Sequence, residues 1–211
     1  MKKKIALIAS CAVLLPCMAQ AATVFTDNFD GDTPALNAVP TGWTVSGGTV
    51  DIVANGTYGT IYCAGNAGNC IDLDGSTGAS GTLALATSFA VTSGTTYTAT
   101  FDLAGNGRAN QTDKVTVNFA DSGTDGVSKV YSIVGQPASS PADNPFTTYT
   151  LTFTATSSGT GNLSFLDDST NNIGAILDNV TISAVPLPAA AWLLLSGLAG
   201  MGLMGRRRLA A

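Results

Sequence analysis

The 211-residue sequence contains no histidine and no glutamate, and its 14 acidic residues are all aspartates. Without histidine, a Ser-His-Asp or Cys-His catalytic relay is excluded, and so are zinc sites built on histidine. Hydrolysis of a glycosidic bond by two aspartates stays open, because one carboxyl of raised pKa and one ordinary carboxyl suffice. The adjacent pair Asp167 and Asp168 cannot flank one bond, however, since neighbours on a strand point to opposite faces. The composition therefore favours a protein that is not an enzyme.

Basic residues are scarce between positions 22 and 184, where only Arg108, Lys114 and Lys129 stand against the 14 aspartates. Three positive charges minus 14 negative ones give this segment a formal net charge of −11. This charge argues against nucleic acid as a partner, because phosphate binding requires a basic surface. Divalent cations and neutral sugars suit such an acidic body better.

Amphipathic helical patterns are also missing from residues 22–184, where apolar and polar residues alternate with a period of two. This pattern is typical of strands with one solvent-exposed face, and threonine fills such faces because of its high β-propensity. The candidate strands cover residues 23–29, 43–53, 59–62, 82–89, 97–103, 115–119, 129–134, 149–155, 162–166 and 175–182. About ten short antiparallel strands predict an all-β, two-sheet sandwich of jelly-roll type, because only another sheet can cover each apolar face.

The N-terminus carries three lysines at positions 2–4, an apolar run over 5–15 and the triplet Ala19-Gln20-Ala21, whose first and third residues are small. This order is that of a secretory signal peptide, so we expect signal peptidase to cleave after Ala21 during export by the secretion machinery. A lipoprotein signal at Cys17 is the alternative, and Pro16 disfavours it because a small residue is required there. Residues 1–21 are thus the predicted signal peptide, and residues 22–184 form one exported domain.

The C-terminal segment from 185 to 205 has 21 residues without a charge and is followed by Arg206, Arg207 and Arg208. A helix of that length spans a hydrocarbon core of roughly 30 Å. The three arginines remain in the cytoplasm by the positive-inside rule, which leaves residues 22–184 outside. We therefore predict a single transmembrane helix within residues 185–211.

The same segment resembles the PEP-CTERM protein-sorting family, and most closely its V-P-L-P-A variant. The matching residues are Val185, Pro186, Leu187, Pro188, Ala189, Trp192, Ser196, Gly197, Arg206, Arg207 and Arg208. The resemblance implies export across the inner membrane, recognition by an exosortase-type protease, and a final place at the cell surface or in an exopolysaccharide matrix. Leu187 stands where the commoner form has glutamate, which leaves open which processing enzyme reads the motif. An ordinary membrane anchor, packed through its small residues against another helix, is the alternative.

Cysteine is confined to four positions, and the two at 11 and 17 leave with the signal peptide. Cys63 and Cys70 remain and would close a short loop rich in glycine and asparagine. In an oxidising compartment such a pair is most simply a disulfide.

The body carries a second resemblance, to the galactose-binding-like jelly rolls of bacterial surface proteins and plant cell-wall proteins. Its motifs lie at residues 27–30, 42–43, 71–75, 97–106 and 176–182. In carbohydrate-binding modules of this kind, carboxylates of the first and last strands often hold a structural calcium ion. Carried over to this chain, the resemblance implies calcium binding by Asp27, Asp30 and Asp178.

Asp178 is also singled out by strand parity. It shares one face with Ile176, Val180 and Ile182, and burying a carboxylate on an apolar face is costly without a partner. A bound Ca²⁺ or backbone N–H donors would supply that partner. Asp72 and Asp74 share a face as well, but beside Gly75 the termination of a strand explains them better than metal binding.

Glycan binding is the leading functional hypothesis, because a pyranose ring has apolar faces that stack on aromatic rings and polar edges. Aromatic and polar residues in or near loops are the candidate ligand-binding residues: Tyr58, Tyr62, Arg108, Asn110 and Tyr131. Other aromatic residues are assigned to the core: Trp43, Phe101, Phe153 and Phe165. We predict a non-enzymatic surface or matrix protein that binds polysaccharide, with calcium as its candidate cofactor. A structural or adhesive protein without glycan binding is the alternative, followed by a polysaccharide-active enzyme.

Overall fold

Twelve strands and one short 3-10 helix are present in residues 20–186, which are the part of the chain that the computed structural model describes. The strands are β1 (Ala22–Asp27), β2 (Trp43–Ser46), β3 (Asp51–Ala54), β4 (Asn69–Asp72), β5 (Thr82–Leu85), β6 (Phe89–Val91), β7 (Thr95–Ala104), β8 (Gln111–Asp121), β9 (Gly126–Gly135), β10 (Thr147–Thr154), β11 (Gly159–Asp167) and β12 (Ile176–Pro186). No helix within these residues is long and apolar enough to cross a membrane. Residues 1–19 of the predicted signal peptide and residues 187–211 of the predicted transmembrane segment lie outside the described residues. The first two residues of that predicted segment, Val185 and Pro186, belong to β12 and are not helical.

The strands form two antiparallel sheets of six. We call the first the terminal sheet, because it contains both β1 and β12; its order is β10-β7-β12-β4-β3, with β1 also paired to β12. The second is the hairpin sheet, with the order β2-β5-β11-β8-β9 and β6 also paired to β11. The predicted all-β, two-sheet antiparallel sandwich is therefore confirmed.

Alternation along the strands places the core between the sheets. In β7, residues Tyr97, Ala99, Phe101 and Leu103 are at most 3% exposed, while the residues that alternate with them face outward. Phe101 packs edge-on against Phe165 of the hairpin sheet at 5.1 Å between ring centroids. The four aromatic residues assigned to the core from the sequence are all buried. Each such side chain contributes roughly 1.5–3 kcal/mol by leaving water.

The predicted strand at 43–53 is in fact two strands in different sheets. Its first part is β2 of the hairpin sheet and its second part is β3 of the terminal sheet. The chain changes sheets at Gly47 and Gly48, where Gly47 has a φ of +78°. A Cβ on Gly48 would lie 2.2 Å from the carbonyl oxygen of Ala79, so only glycine fits.

Residues 59–62 form a turn instead of the predicted strand, closed by the hydrogen bond from the N–H of Ile61 to the carbonyl of Thr57. The strand that follows, β4, was not among the predicted strands. The last strand runs to Pro186, so Val185 and Pro186 of the sorting motif pair with Thr96 and Thr95 of β7.

Candidate functional site

Three loops meet at the outer side of the terminal sheet: the disulfide loop (residues 55–70), residues 105–110 and residues 136–146. Gly107 is the point of contact, because a Cβ there would lie 1.9 Å from the carbonyl oxygen of Thr60. Its own carbonyl accepts a hydrogen bond from the N–H of Ala138 at 2.9 Å. The three loops therefore hold one another in place through backbone contacts.

A disulfide between Cys63 and Cys70 closes the second part of the first loop, as predicted, with 5.4 Å between the Cα atoms. The disulfide packs in a small apolar cluster separate from the main core, together with Val53, Ile61, Ala104 and Ile176. Closing a loop of this length stabilises a fold by about 2–3 kcal/mol in the chain-entropy account. The loop that carries Tyr58 and Tyr62 is thus fixed at its C-terminal end.

Tyr58 is the most exposed aromatic residue described, with 62% of its surface accessible. Its backbone is left-handed, with a φ of +55°. The guanidinium of Arg108 lies 5.7 Å from the centre of the ring. A cation at this distance is attracted to the ring face and restricts its movement.

The guanidinium of Arg108 binds groups within the protein. It forms an ion pair with Asp72 at 2.7 Å and donates to the side-chain oxygen of Asn106 at 3.2 Å. It also donates to the carbonyl of Asn172. The sequence predicted that Arg108 contacts a ligand. In the structure, Arg108 pairs with the buried Asp72 and lies near the ring of the exposed Tyr58.

The other predicted ligand residues fall in different settings. Asn110 is exposed at the end of the second loop, and Tyr62 is half-buried, with its hydroxyl donating to the carbonyl of Gly59. Tyr131 is buried in the core, 6% exposed and 4.4 Å from Tyr149 between ring centroids. Contrary to the prediction, Tyr131 offers no ring face to a ligand, because it lies on the inward face of β9.

The structure does not bring the three predicted calcium ligands together: within residues 20–186 they do not form a group with oxygens within 4.8 Å of one another. Asp27 accepts hydrogen bonds from the N–H of Phe29 and the indole of Trp43 at 2.8 and 2.7 Å. Asp30 accepts from the N–H of Asn69 and the side chain of Asn28. Calcium binding by this set stays a prediction.

Asp178 is buried, as strand parity required, but on a different face from the one expected. A bulge in β12 between Asp178 and Thr181 shifts the register, so Leu177 and Val180 both reach the main core. Asp178 instead faces the disulfide loop, together with Ile176. Its carboxylate accepts from the N–H groups of Ala64 and Asn179 at 3.0 and 2.7 Å, so the backbone donors supply its partners. Burial raises the pKa of Asp178 to about 6.

A further set of acidic side chains lies at the end of the sandwich where β12 begins. We call Asp72, Asp74, Asp113 and Asp167 the buried aspartate cluster, since each is at most 3% exposed. Asp72 accepts from Arg108, from the Asn106 amide and from the N–H groups of Asp74 and Gly174. Burial raises the pKa of Asp72, and the positive charge of Arg108 opposes this shift. Every hydrogen-bond partner of the Asp72 carboxyl is a donor, so the network favours its ionised form.

Asp113 and Asp167 belong to neighbouring strands, and Asp167 pairs with Val115, two residues from Asp113. Burial raises the pKa of Asp113 to about 6 and that of Asp167 to about 7, and repulsion from nearby aspartates adds to both shifts. Asp167 accepts from the N–H groups of Ser169 and Ala175 at 3.1 and 2.7 Å. These two carboxyls are sealed from solvent, so they do not reach a polysaccharide chain.

The outer face of the terminal sheet presents a third surface, which we call the threonine face. It consists of Thr26, Thr96, Thr98, Thr100, Thr150, Thr152, Thr154, Thr181 and Ser183. Hydroxyls of neighbouring strands hydrogen-bond to each other, for example Thr96 to Thr154 at 2.9 Å. These nine side chains are uncharged, and the acidic residue Asp102 lies beside them on the same face of β7, where it accepts a hydrogen bond from the hydroxyl of Thr148.

Comparison with known proteins gives one family. The family model described as protein of unknown function (DUF642) matches residues 32–183. No curated protein matches the chain.

Two solved structures illustrate the likeness in fold. The CBM22-1 xylan-binding domain of Xyn10C from Paenibacillus barcinonensis has a TM-score of 0.49 and 16% identity, covering 81% of this chain and 99% of that one. The K1 cleaved adhesin domain of Lys-gingipain from Porphyromonas gingivalis W83 has a TM-score of 0.49 and 17% identity, covering 77% and 97%. At these identities both likenesses concern the sandwich and not its ligands.

Proposed function

The chain belongs to the DUF642 family, and we propose that its sandwich is a non-catalytic glycan-binding module that works outside the cell. The observation that carries this proposal is the exposed ring of Tyr58, which has the guanidinium of Arg108 beside it and precedes the segment from Cys63 to Cys70 that the disulfide closes. An immobilised aromatic ring on a rigid loop loses little conformational entropy when a sugar stacks on it. The amide of the exposed Asn110, on the adjacent loop, offers the polar contact that a sugar edge requires.

The charge of the domain narrows the class of glycan. With a net charge of −11 over residues 22–184, the surface repels uronic acids and sulfated sugars at moderate ionic strength. Arg108, the cation nearest to the Tyr58 ring, is already paired with Asp72. We therefore assign a neutral polysaccharide as the ligand.

Affinity electrophoresis in gels that contain neutral polysaccharides tests this assignment. We expect retardation of the full-length protein, and at least a tenfold loss of affinity in Tyr58→Asn. Asparagine removes the ring but tolerates the left-handed backbone, so the loop keeps its conformation. Val130→Ala is the matched control, because Val130 is an exposed apolar residue of the hairpin sheet, 55% accessible. Equal retardation of Tyr58→Asn and the wild type would refute the proposed site.

The threonine face favours a second candidate function, adhesion to a neighbouring surface protein without glycan binding. The nine hydroxyl side chains of the threonine face allow close approach where the rest of the acidic surface repels. Attachment to the matrix that persists in Tyr58→Asn, after retardation by neutral polysaccharide is lost, would favour this second function.

Export and sorting complete the proposal. The signal peptide pattern at residues 1–21 and the sorting motif at 185–189 support secretion, membrane attachment and release by an exosortase-type protease. Mass spectrometry of the protein recovered from its host is expected to give an N-terminus at Ala22 and a C-terminus before the terminal arginines. Recovery of all 211 residues from the cytosol would contradict export.

A further inference from the structure

The buried aspartate cluster contains carboxylate oxygens without partners. Asp74 is fully buried, and neither of its side-chain oxygens has a hydrogen-bond donor in bonding geometry. In Asp113, one oxygen accepts from the Gln111 amide at 2.7 Å and the other has no partner. Leaving such groups unpaired in an apolar interior costs several kcal/mol each, so a compensating group is expected.

The described part of the chain has no cation left to compensate them. Residues 20–186 contain three basic side chains, of which Arg108 is paired with Asp72. Lys129 lies over the ring of Tyr131 at 4.9 Å, and Lys114 is exposed and faces away from the core on β8. A positive charge at the cluster therefore has to come from outside the protein.

The surroundings of Asp74 are rich in oxygen. Burial raises the pKa of Asp74, and the nearby hydroxyls of Ser169 and Ser80 oppose this shift without reaching hydrogen-bonding geometry. The hydroxyl of Ser80 donates to the carbonyl of Ser169 at 2.8 Å, so its proton is already used and its oxygen remains available. Asp113 is connected to Asp74 through residues 173 and 174, because the Gln111 amide that donates to Asp113 also donates to the carbonyl of Ile173. Gly174 packs directly on Asp74, since a Cβ on Gly174 would lie 2.4 Å from the backbone nitrogen of Asp74.

We propose that Asp74 and Asp113 bind a divalent cation, Ca²⁺, between the two sheets. Calcium takes six to eight oxygen ligands and accepts carboxylates, carbonyls and water in irregular geometry. Within residues 20–186, no three carboxylates of the cluster have oxygens within 4.8 Å of one another. The proposed calcium ligands are therefore two carboxylates, and neutral oxygens complete the coordination. The one such group there, Asp178 with Cys63 and Cys70, is no metal site, because its sulfurs are joined in the disulfide.

Calorimetric titration of the full-length protein with CaCl₂ at pH 7.5, after treatment with a chelator, tests the site. One calcium ion per chain is the expected result. At a calcium concentration a hundredfold above Kd, Tm should rise by about 5–10 °C relative to chelator. No bound calcium and an unchanged Tm would overturn the proposal and leave the cluster neutralised by protons alone.

Two amide variants locate the ion. Asp74→Asn and Asp113→Asn should each abolish the calcium-dependent rise in Tm. Both are expected to fold, because Asp74→Asn removes an unpaired charge and Asp113→Asn keeps the oxygen that accepts from Gln111. In chelator, Asp74→Asn should melt above the wild type.

Asp30→Asn and Asp178→Asn are the matched controls, because both change carboxylates that already have N–H donors. They should keep the full response to calcium. If these two lose the response while Asp74→Asn and Asp113→Asn retain it, the ion sits at the first and last strands and this assignment is wrong.

Discussion

Replacing Arg108 by methionine is expected to lower the free energy of unfolding at pH 7 by about 3–5 kcal/mol, and Tm by about 10 °C. The variant leaves the carboxylate of Asp72 without its ion pair at 2.7 Å, although Asp72 is only 1% exposed. It also frees the side-chain oxygen of Asn106 and the carbonyl of Asn172, which both accept from Arg108. Urea denaturation followed by circular dichroism measures the effect.

A double variant distinguishes two causes of the lost stability, the unpaired charge of Asp72 and the lost packing of the Arg108 side chain. Asp72→Asn combined with Arg108→Met removes both charges, and asparagine still accepts from the N–H of Gly174, so part of the stability should return. Lys129→Met is the matched control, since it removes an exposed cation and should cost less than about 1 kcal/mol. Equal losses in Arg108→Met and Lys129→Met would show that the ion pair contributes little.

Arg108 also connects the core to the proposed glycan site, because the same guanidinium contacts Asp72 and lies near the ring of Tyr58. Sequence reasoning selected Arg108 and Tyr58 separately, as loop residues suited to sugar. It could not show their contact, since that depends on the packing of two loops about 50 residues apart along the chain. The close approach of Gly107 to Thr60 that joins these loops follows from the fold alone.

The period-two pattern predicted the fold class because alternation is a local property of each strand. It identified the inward residues of β7 and β10 correctly, including Phe101 and Phe153. It could not assign strands to sheets: the segment 43–53 looks continuous, and only the steric demand at Gly48 reveals the change of sheet. A single bulge after Asp178 likewise reversed the predicted face of Ile176 while leaving the burial of Asp178 correct.

The buried aspartate cluster was partly readable from the sequence. Asp113 has the parity of Val115, Val117 and Phe119, which is the same signal that identified Asp178. Asp167 has the parity of Phe165 in β11. Their proximity to Asp74 could not be predicted from the sequence. It depends on the contact between the end of β4, which was not predicted, and the loop before β12.

In the presence of a chelator, the protein should lose stability as the pH rises from about 4 to 8. Burial raises the pKa of Asp113 and Asp178 to about 6 and that of Asp167 to about 7, above the ordinary value of 3.8. The folded state therefore binds more protons than the unfolded state in this range. The stability from these protons is complete below about pH 4 and is lost as the pH passes through 6 and 7. A tenfold difference in proton affinity between the folded and unfolded states corresponds to about 1.4 kcal/mol, so a total loss of several kcal/mol is expected for these coupled groups.

Urea denaturation at pH 4.5, 6 and 8 measures this loss, and Asp113→Asn should flatten the profile, because an amide does not titrate. N–H donors lower the pKa values of Asp125 and Asp143. These two residues therefore make the protein more stable as the pH rises, but only below about pH 4. Calcium should reduce the loss at pH 8, since a cation favours the ionised carboxylates that protons no longer neutralise. A stability that rises from pH 4.5 to 8 in chelator would mean that the cluster is ionised and fully compensated within the folded protein.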